Sequence, residues 1–394
     1  MLKYLGRLGA AVAAAWLALA PASIVAAGPA WEQWQTVKGI FDVDGPRSDG
    51  SLLVAGSAAL YLVDAGGNQM PFARGPGGYR EDPGTEAYVA VSHGGKVGAA
   101  GCSFTPDETF ILRLHVPMGI TRVTASGEDS GSFANLTGAT TLNGLAFDTT
   151  GSFDHRLLVS GPNGTKTVIF ALDCAGAVTV VTRSAPQLEG GLAVAPSTFG
   201  RFAGDLIAAD ELSGKIYAID PAGKATQIAK PALPTGGDIG VESVGFVPAG
   251  FLTRGGFAYY ADRATANNPH PGSDSILRLS SADLGAAGVQ EGDMLVATEG
   301  GAALLAVRCT NDCSVIPVVT TPTKAHGEGH IAFSVNAPSP STTPRPAVAH
   351  AGGPLVAPGV VDFIGTWGVP IGVAAVLLAL VAGLGVRALR RRAR

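Results

Sequence analysis

Short apolar runs set off by Gly, Asp and Pro recur from Gly28 to Val335, with little of the 3.6-residue periodicity of an amphipathic helix. Such runs predict strands. Leu145-Ala-Phe-Asp148, Leu192-Ala-Val-Ala195, Val244-Gly-Phe-Val247 and Ile331-Ala-Phe-Ser334 share one shape, and each opens a repeating unit. Later in a unit a strand ends in an acidic turn: Asp64 before Ala-Gly-Gly, Asp173 before Cys-Ala-Gly, and Asp220 before Pro-Ala-Gly. These are hairpin turns, in which Asp bonds its own backbone and Gly supplies positive φ. After the opener at Leu145, strands are expected at 156–160, 168–172 and 178–182; after that at Leu192, at 205–209, 215–219 and 226–228. Four strands repeated every 45 to 55 residues or so describe β-propeller blades.

The last opener, Ile331 to Val335, has no unit after it and is expected to join the first strands of the domain, latching the ring. The acidic or amide residue before each opener falls at Glu86, Asn143, Glu189, Glu242 and Glu328, with gaps of 57, 46, 53 and 86. The final gap holds either a further blade or an insertion from about Arg263 to Asp293, in which Asn267 to Pro271 suggests a loop. Six blades fit best, and five is the other count.

Both ends of the chain follow other rules. Lys3 and Arg7 precede an uncharged run from Leu8 to Ala20, and Val25 and Ala27 place small residues ahead of Gly28, so residues 1–27 read as a signal peptide. The run is too short to cross a bilayer as a helix. From Phe363 to Val386 no side chain is charged, and at about 1.5 Å per residue this stretch is long enough to span. Five arginines between Arg387 and Arg394 make that side cytoplasmic. Residues 336–358, rich in Pro, Ser, Thr and Ala, read as an extended stalk. The expected order is signal peptide 1–27, propeller ectodomain 28–335, stalk 336–358, transmembrane helix 363–386 and basic tail 387–394. That is a single-pass protein of the cell membrane with its N-terminal domain outside the cytoplasm.

A formal charge of −4 and a pI near 6.0 leave no basic footprint for nucleic acid. Only 15% of residues are charged and 55 are Gly, which suits tight turns between short strands. Four cysteines in an exported chain suit oxidation. Cys309 and Cys313 flank a turn and are expected to staple that hairpin, leaving Cys102 with Cys174; a zinc site using His326 and His330 is the competing arrangement.

If the openers are innermost, the residues just before them meet at one mouth of the central channel. Glu86, Glu189, Glu242 and Glu328 with Asn143 would then face a common axis, where like charges raise one another's pKa unless a cation intervenes. Hard oxygen ligands suit a divalent cation, calcium first. The alternative is that these are ordinary loop residues facing water. Asp210 and Asp262 end strands in Ala-Asp steps and read as turn formers, and no nucleophile elbow, Walker loop or His-Glu-x-x-His motif is present.

Gly327-Glu-Gly-His330 before Ile-Ala-Phe, and Leu142-Asn-Gly-Leu-Ala-Phe147, resemble inner-strand motifs of the senescence-marker-protein and gluconolactonase (SGL) family of six-bladed propellers. The resemblance implies a divalent cation on Glu328 and Asn143 that activates water against a sugar lactone. The family's acid–base Asp lies in a Pro-Asp-Gly opener, where this chain has Glu189 before Gly-Gly and Glu242 before Ser-Val. Two functions are therefore expected to compete. One is a binding module whose partner is a surface protein or saccharide; the other is a metal-dependent hydrolase of the lactonase type.

Overall fold

The computed structural model describes residues 28–81, 85–319 and 323–337. The expected signal peptide, transmembrane helix and basic tail, and nearly all of the stalk, lie outside the described residues. Among these no helix is long and apolar enough to cross a membrane.

The fold is all-β and propeller-like, with helix confined to a few short turns. Four sheets have four strands each, and one has eight. The eight-stranded sheet is two four-stranded halves joined by a single parallel bridge, Gly191 to Ser243. Divided there, the sheets give six four-stranded units, called blades one to six below. Their innermost strands are Asp42–Asp44, Val89–Val91, Gly144–Phe147, Glu189–Val194, Val241–Phe246 and Gly327–Val335. Each neighbours the next, and the last returns to the first.

Apolar residues make this arrangement favourable by filling the spaces between blade faces. Phe104, Phe110, Phe133 and Phe147 pack edge-on between blades two and three, with Phe104 and Phe147 centroids 5.0 Å apart. Val54, Tyr259 and Ala332 fill the gap between blades one and six. The outermost strands carry the polar face, as in Val178–Ala185, most of which meets solvent. The expected Asx turns form: Asp64 accepts from the backbone N–H groups of Gly66 and Asn68, and Asp173 from those of Ala175 and Ala177.

Blade six is drawn from separate parts of the chain. After Phe246 the chain leaves blade five through a short helix, Phe251–Arg254. It then builds the second and third strands of blade six, Gly256–Asp262 and Ser275–Ser280. A helix over Ser281–Ala286, capped by the Ser280 hydroxyl accepting from the Asp283 N–H, returns it to blade five at Met294. The insertion expected in the long final gap is thus also the middle of a further four-stranded unit. The N-terminal strand Glu32–Thr36 adds the outer strand and Gly327–Val335 the inner one. Arg278 holds the N-terminal strand through two hydrogen bonds to the Glu32 carboxylate, at 2.8 and 2.9 Å, and Trp31 donates to the Ala302 carbonyl.

Both expected disulfides form, Cys102–Cys174 and Cys309–Cys313. That removes the sulfur ligands a zinc site would need.

Candidate functional site

The inner strands run side by side, so their starts meet at one mouth of the channel and their ends at the other. Between the two lies a charge pair. Asp42, fully buried, accepts from the N–H groups of Val43, Val89 and His330. The His330 ring sets Nδ1 3.0 Å from the Asp42 carboxylate and Nε2 2.7 Å from the Leu145 carbonyl across the ring in blade three. A carbonyl only accepts, so Nε2 carries a proton; facing a carboxylate, Nδ1 carries another, and the ring is an imidazolium. Burial opposes that charge, but Asp42 outweighs it and pushes the His330 pKa up to about 9. Gly329 makes the contact feasible. Its φ is +68°, and a Cβ there would lie 2.2 Å from an Asp42 oxygen.

At the mouth formed by the strand starts, carboxylates converge on Glu328. The Tyr88 hydroxyl lies 2.7 Å from one Glu328 oxygen and 3.0 Å from Glu242. A phenol has one proton, so both contacts are hydrogen bonds only if one of the two carboxyls is protonated; with that proton on Glu242, Glu242 donates to Tyr88 and Tyr88 donates to Glu328. Burial, then the neighbouring Glu328, pushes the Glu242 pKa well above its usual range, in agreement. Arg263 bridges the other Glu328 oxygen, at 3.2 Å, to Glu86. His326 Nε2 sits 2.9 Å from Glu299 and 3.4 Å from Glu328, and its Nδ1 is buried without a hydrogen-bond partner. Glu299 in turn hydrogen-bonds the Glu211 carboxyl, a contact that requires a shared proton.

Burial is the main reason that Glu189 is pushed up to about 7 and Glu299 to about 8, with neighbouring carboxylates adding to it. For His326 burial opposes the charge, but the hydrogen bonds its ring donates to Glu299 and Glu328 raise its pKa to about 10. Arg263 and His326 are the cations that touch the cluster, and protons must supply the rest of its balance. The backbone is shaped to allow this crowding. Gly190 has φ +62°, and a Cβ there would lie 2.0 Å from the Glu242 carbonyl and 2.2 Å from its carboxylate.

Of the five residues expected at this mouth, Glu328 and Glu242 meet through Tyr88, and Glu86 joins them through Arg263 while its side chain stays half-exposed. Glu189 hydrogen-bonds Asn143 and feels the charges of Glu86 and Glu328. Asn143 turns inward: its amide nitrogen donates to the Leu188 carbonyl, and its oxygen accepts from Ser160. Sequence reasoning missed Tyr88, Glu211, Arg263 and Glu299, and gave His326 only a place in the competing zinc site. A signal existed for three of them. Second strands of blades four, six and five end in Ala209-Asp-Glu211, Ala261-Asp-Arg263 and Ala297-Thr-Glu299, and the third residue of each step turns into the mouth. Asp210 is the turn former expected, whereas Asp262 bonds residues well beyond its own turn. Asp210 accepts from the Ser213 N–H, and Asp262 accepts from the backbone N–H of His326, fixing that residue's place.

Glu299, His326 and Glu328 bring ligand atoms within 4.8 Å of one another. The donor set of two carboxyls and one imidazole suits a divalent cation, and the burial and neighbouring charge that raise the Glu299 pKa are costs that a cation would relieve. Glu86 fits less well, being held by Arg263, and Asn143 serves better to position Glu189 than as a ligand.

No protein-family model and no curated protein sequence matches the chain. Solved structures do. Virginiamycin B lyase from Staphylococcus aureus is similar at 13% identity and a TM-score of 0.40, over 78% of this chain and 96% of its own. A putative gluconolactonase is similar at 13% identity and a TM-score of 0.40, over 75% and 84%. A putative TolB from Agrobacterium tumefaciens is similar at 12% identity and a TM-score of 0.40, over 77% and 92%. The gluconolactonase is of the family that the sequence motifs resemble, and the likeness is one of fold.

Proposed function

We propose that the chain is a membrane-anchored, extracytoplasmic six-bladed propeller that acts as a binding module. Its acidic channel mouth holds a divalent cation, calcium first, and uses it to recognise an oxygen-rich partner, a surface saccharide or protein. The observation that carries this reading is the convergence of Glu189, Glu242, Glu299 and Glu328 on one mouth, where Arg263 and His326 are too few to neutralise them. Glu299, Glu328 and, once its ring gives up a proton, His326 would hold the ion, which supplies a Lewis-acidic point for a partner's hydroxyl or carboxylate oxygens. Tyr88 keeps Glu328 oriented, and Glu242 stores a proton that can leave when the ion enters. The anchor rests on the apolar stretch 363–386 with its arginine-rich flank, and the outward topology on the signal-like N-terminus.

A second reading, a metal-dependent lactonase, draws on the proton chain Glu242–Tyr88–Glu328, which could serve general acid–base chemistry. Against it, Asn143 spends its amide inside the blades, and no Asp stands where the resemblance requires one.

The two readings separate in one set of assays on the purified chain: calcium titration by calorimetry, glycan-array binding with and without chelator, and a sugar-lactone hydrolysis screen. Calcium-dependent glycan or protein capture without turnover is expected. Robust metal-dependent turnover would replace the binding reading, and no divalent metal bound at neutral pH would remove both.

A further inference from the structure

Beyond His330, at the opposite mouth, the ends of the inner strands enclose a cavity of about 430 Å³. It differs in kind from the acidic mouth. Phe147, Val194, Phe246 and Phe333 form much of its wall, and His93 stands at its rim. Its volume is in the range of small-molecule pockets, and walls of this kind favour an apolar body. One carboxyl group faces in, that of Asp44. One of its oxygens accepts from the Val91 N–H at 2.6 Å, and among the described residues no hydrogen bond reaches the other. Burial holds this carboxyl above its usual range against the pull of His330, whose hydrogen bonds are spent on Asp42 and Leu145, and of His93.

We propose that this cavity binds a small molecule with an apolar body, aromatic or branched, of roughly a dozen heavy atoms and one ammonium group that pairs with Asp44. The chemistry selects among ligands. An anion would meet the Asp44 carboxyl, while the cation in the wall, His330, already spends both ring nitrogens on Asp42 and Leu145. A sugar would leave most of its hydroxyls against Phe and Val. A metal ion would find one carboxylate where it needs several. An amine with an apolar body satisfies both the walls and the acid. The site is independent of the cation proposed at the acidic mouth, because the Asp42–His330 pair lies across the channel between them.

The test uses two probes with the same body, 3-phenylpropylammonium and 3-phenylpropan-1-ol, titrated calorimetrically into the full-length chain, with methyl NMR to locate binding. The ammonium should bind at least about tenfold more tightly than the alcohol, the scale of a hydrogen bond to a charged group. Shifts should concentrate at Val194 and Val244, and saturating calcium should leave binding unchanged. Asp44→Asn, which can still accept from Val91, should cost the ammonium at least about tenfold and spare the alcohol. Val194→Phe should abolish both; if that variant does not fold, the Asp44→Asn contrast decides alone. Equal affinities, an ammonium unaffected by Asp44→Asn, no binding at millimolar concentration, or shifts that calcium abolishes at the acidic mouth would each overturn the proposal.

Discussion

The two mouths of the channel solve the problem of buried charge differently. At the centre Asp42 has one hydrogen-bonded cation and three N–H donors, and at the apolar end Asp44 has one N–H donor and shares the charge of His330 without a hydrogen bond to it. At the acidic end many carboxyls share few cations and hold protons instead. They differ in bracing as well. Strand register puts Cys102–Cys174 and Cys309–Cys313 at the blade ends that face the apolar cavity, whereas among the described residues the acidic mouth is held by ion pairs and hydrogen bonds. Covalent bracing suits a cavity whose shape selects its ligand; ionic bracing suits a site whose charge state changes on binding.

The sharpest way to break this comparison is to remove the partition. His330→Gln leaves Asp42 buried without its counter-charge and should cost about 3–5 kcal/mol in chemical denaturation, whereas Asp42→Asn with His330→Leu should recover much of it. If His330→Gln is benign, the channel is not divided by a charge pair.

Next come the braces. Replacing Cys102 and Cys174 by Ser opens a loop of 72 residues and should cost up to about 4 kcal/mol, against about 2 for the short Cys309–Cys313 loop. Neither change should alter calcium affinity at the far mouth. A disulfide variant that loses calcium binding would show the two ends to be coupled.

Cation binding should stabilise the fold by about 2.7 kcal/mol at a hundredfold excess over Kd, so chelation should lower the Tm by several degrees. Glu328→Gln should shrink that shift, and the exposed Glu128→Gln should not. The pH dependence carries a sign. Glu189 and Glu299 titrate near 7 and 8 when folded but near 4.5 when unfolded, so the folded state holds more protons and stability falls as pH rises from about 4.5 to 8. A divalent cation should flatten that decline. His330, raised to about 9, adds a separate loss between about 6.5 and 9 that no cation should restore. Melting curves across pH with calcium and with chelator distinguish the two windows.

The smallest effect is the most specific. If protons stand in for a cation, calcium entry at neutral pH should release about two protons per ion, those of Glu299 and the His326 ring, read as a buffer-dependent binding enthalpy. A buffer-independent enthalpy would mean that the carboxyls were already ionised.

Much of the fold was legible because strand openers and Asp-Gly turns are local features: each is set by a few adjacent residues, as Asp64, Asp173 and Asp220 show. Blade six was hidden because its four strands come from three distant segments, and no local pattern reveals that Gly256–Asp262 leaves blade five to pair with Gly327–Val335. The acidic mouth was half legible. Glu242 and Glu328 precede openers and were found; Glu211 and Glu299 follow second strands and reach the same place from the other side of the hairpin. Arg263 lay at the start of a stretch that read as either a further blade or an insertion, yet it supplies the charge that joins Glu86 to Glu328. Asn143 shows the reverse error, since an amide in a recognisable motif can be spent on its own blade.

The inner strand of blade six has a consequence for assembly. Glu328 and His330 both ride on it, and it is the last strand of the head to be synthesised. Before it docks, Asp42, Glu242 and Glu299 face an unfilled slot, and Gly256–Asp262 offers an unpaired edge. Seating one strand therefore closes the sheet, plugs the channel and buries the acids in a single event, sensitive to pH and to cations. A chain cut short before Gly327 would leave that slot open to the corresponding strand of another copy, making this the place where strand exchange between molecules would begin.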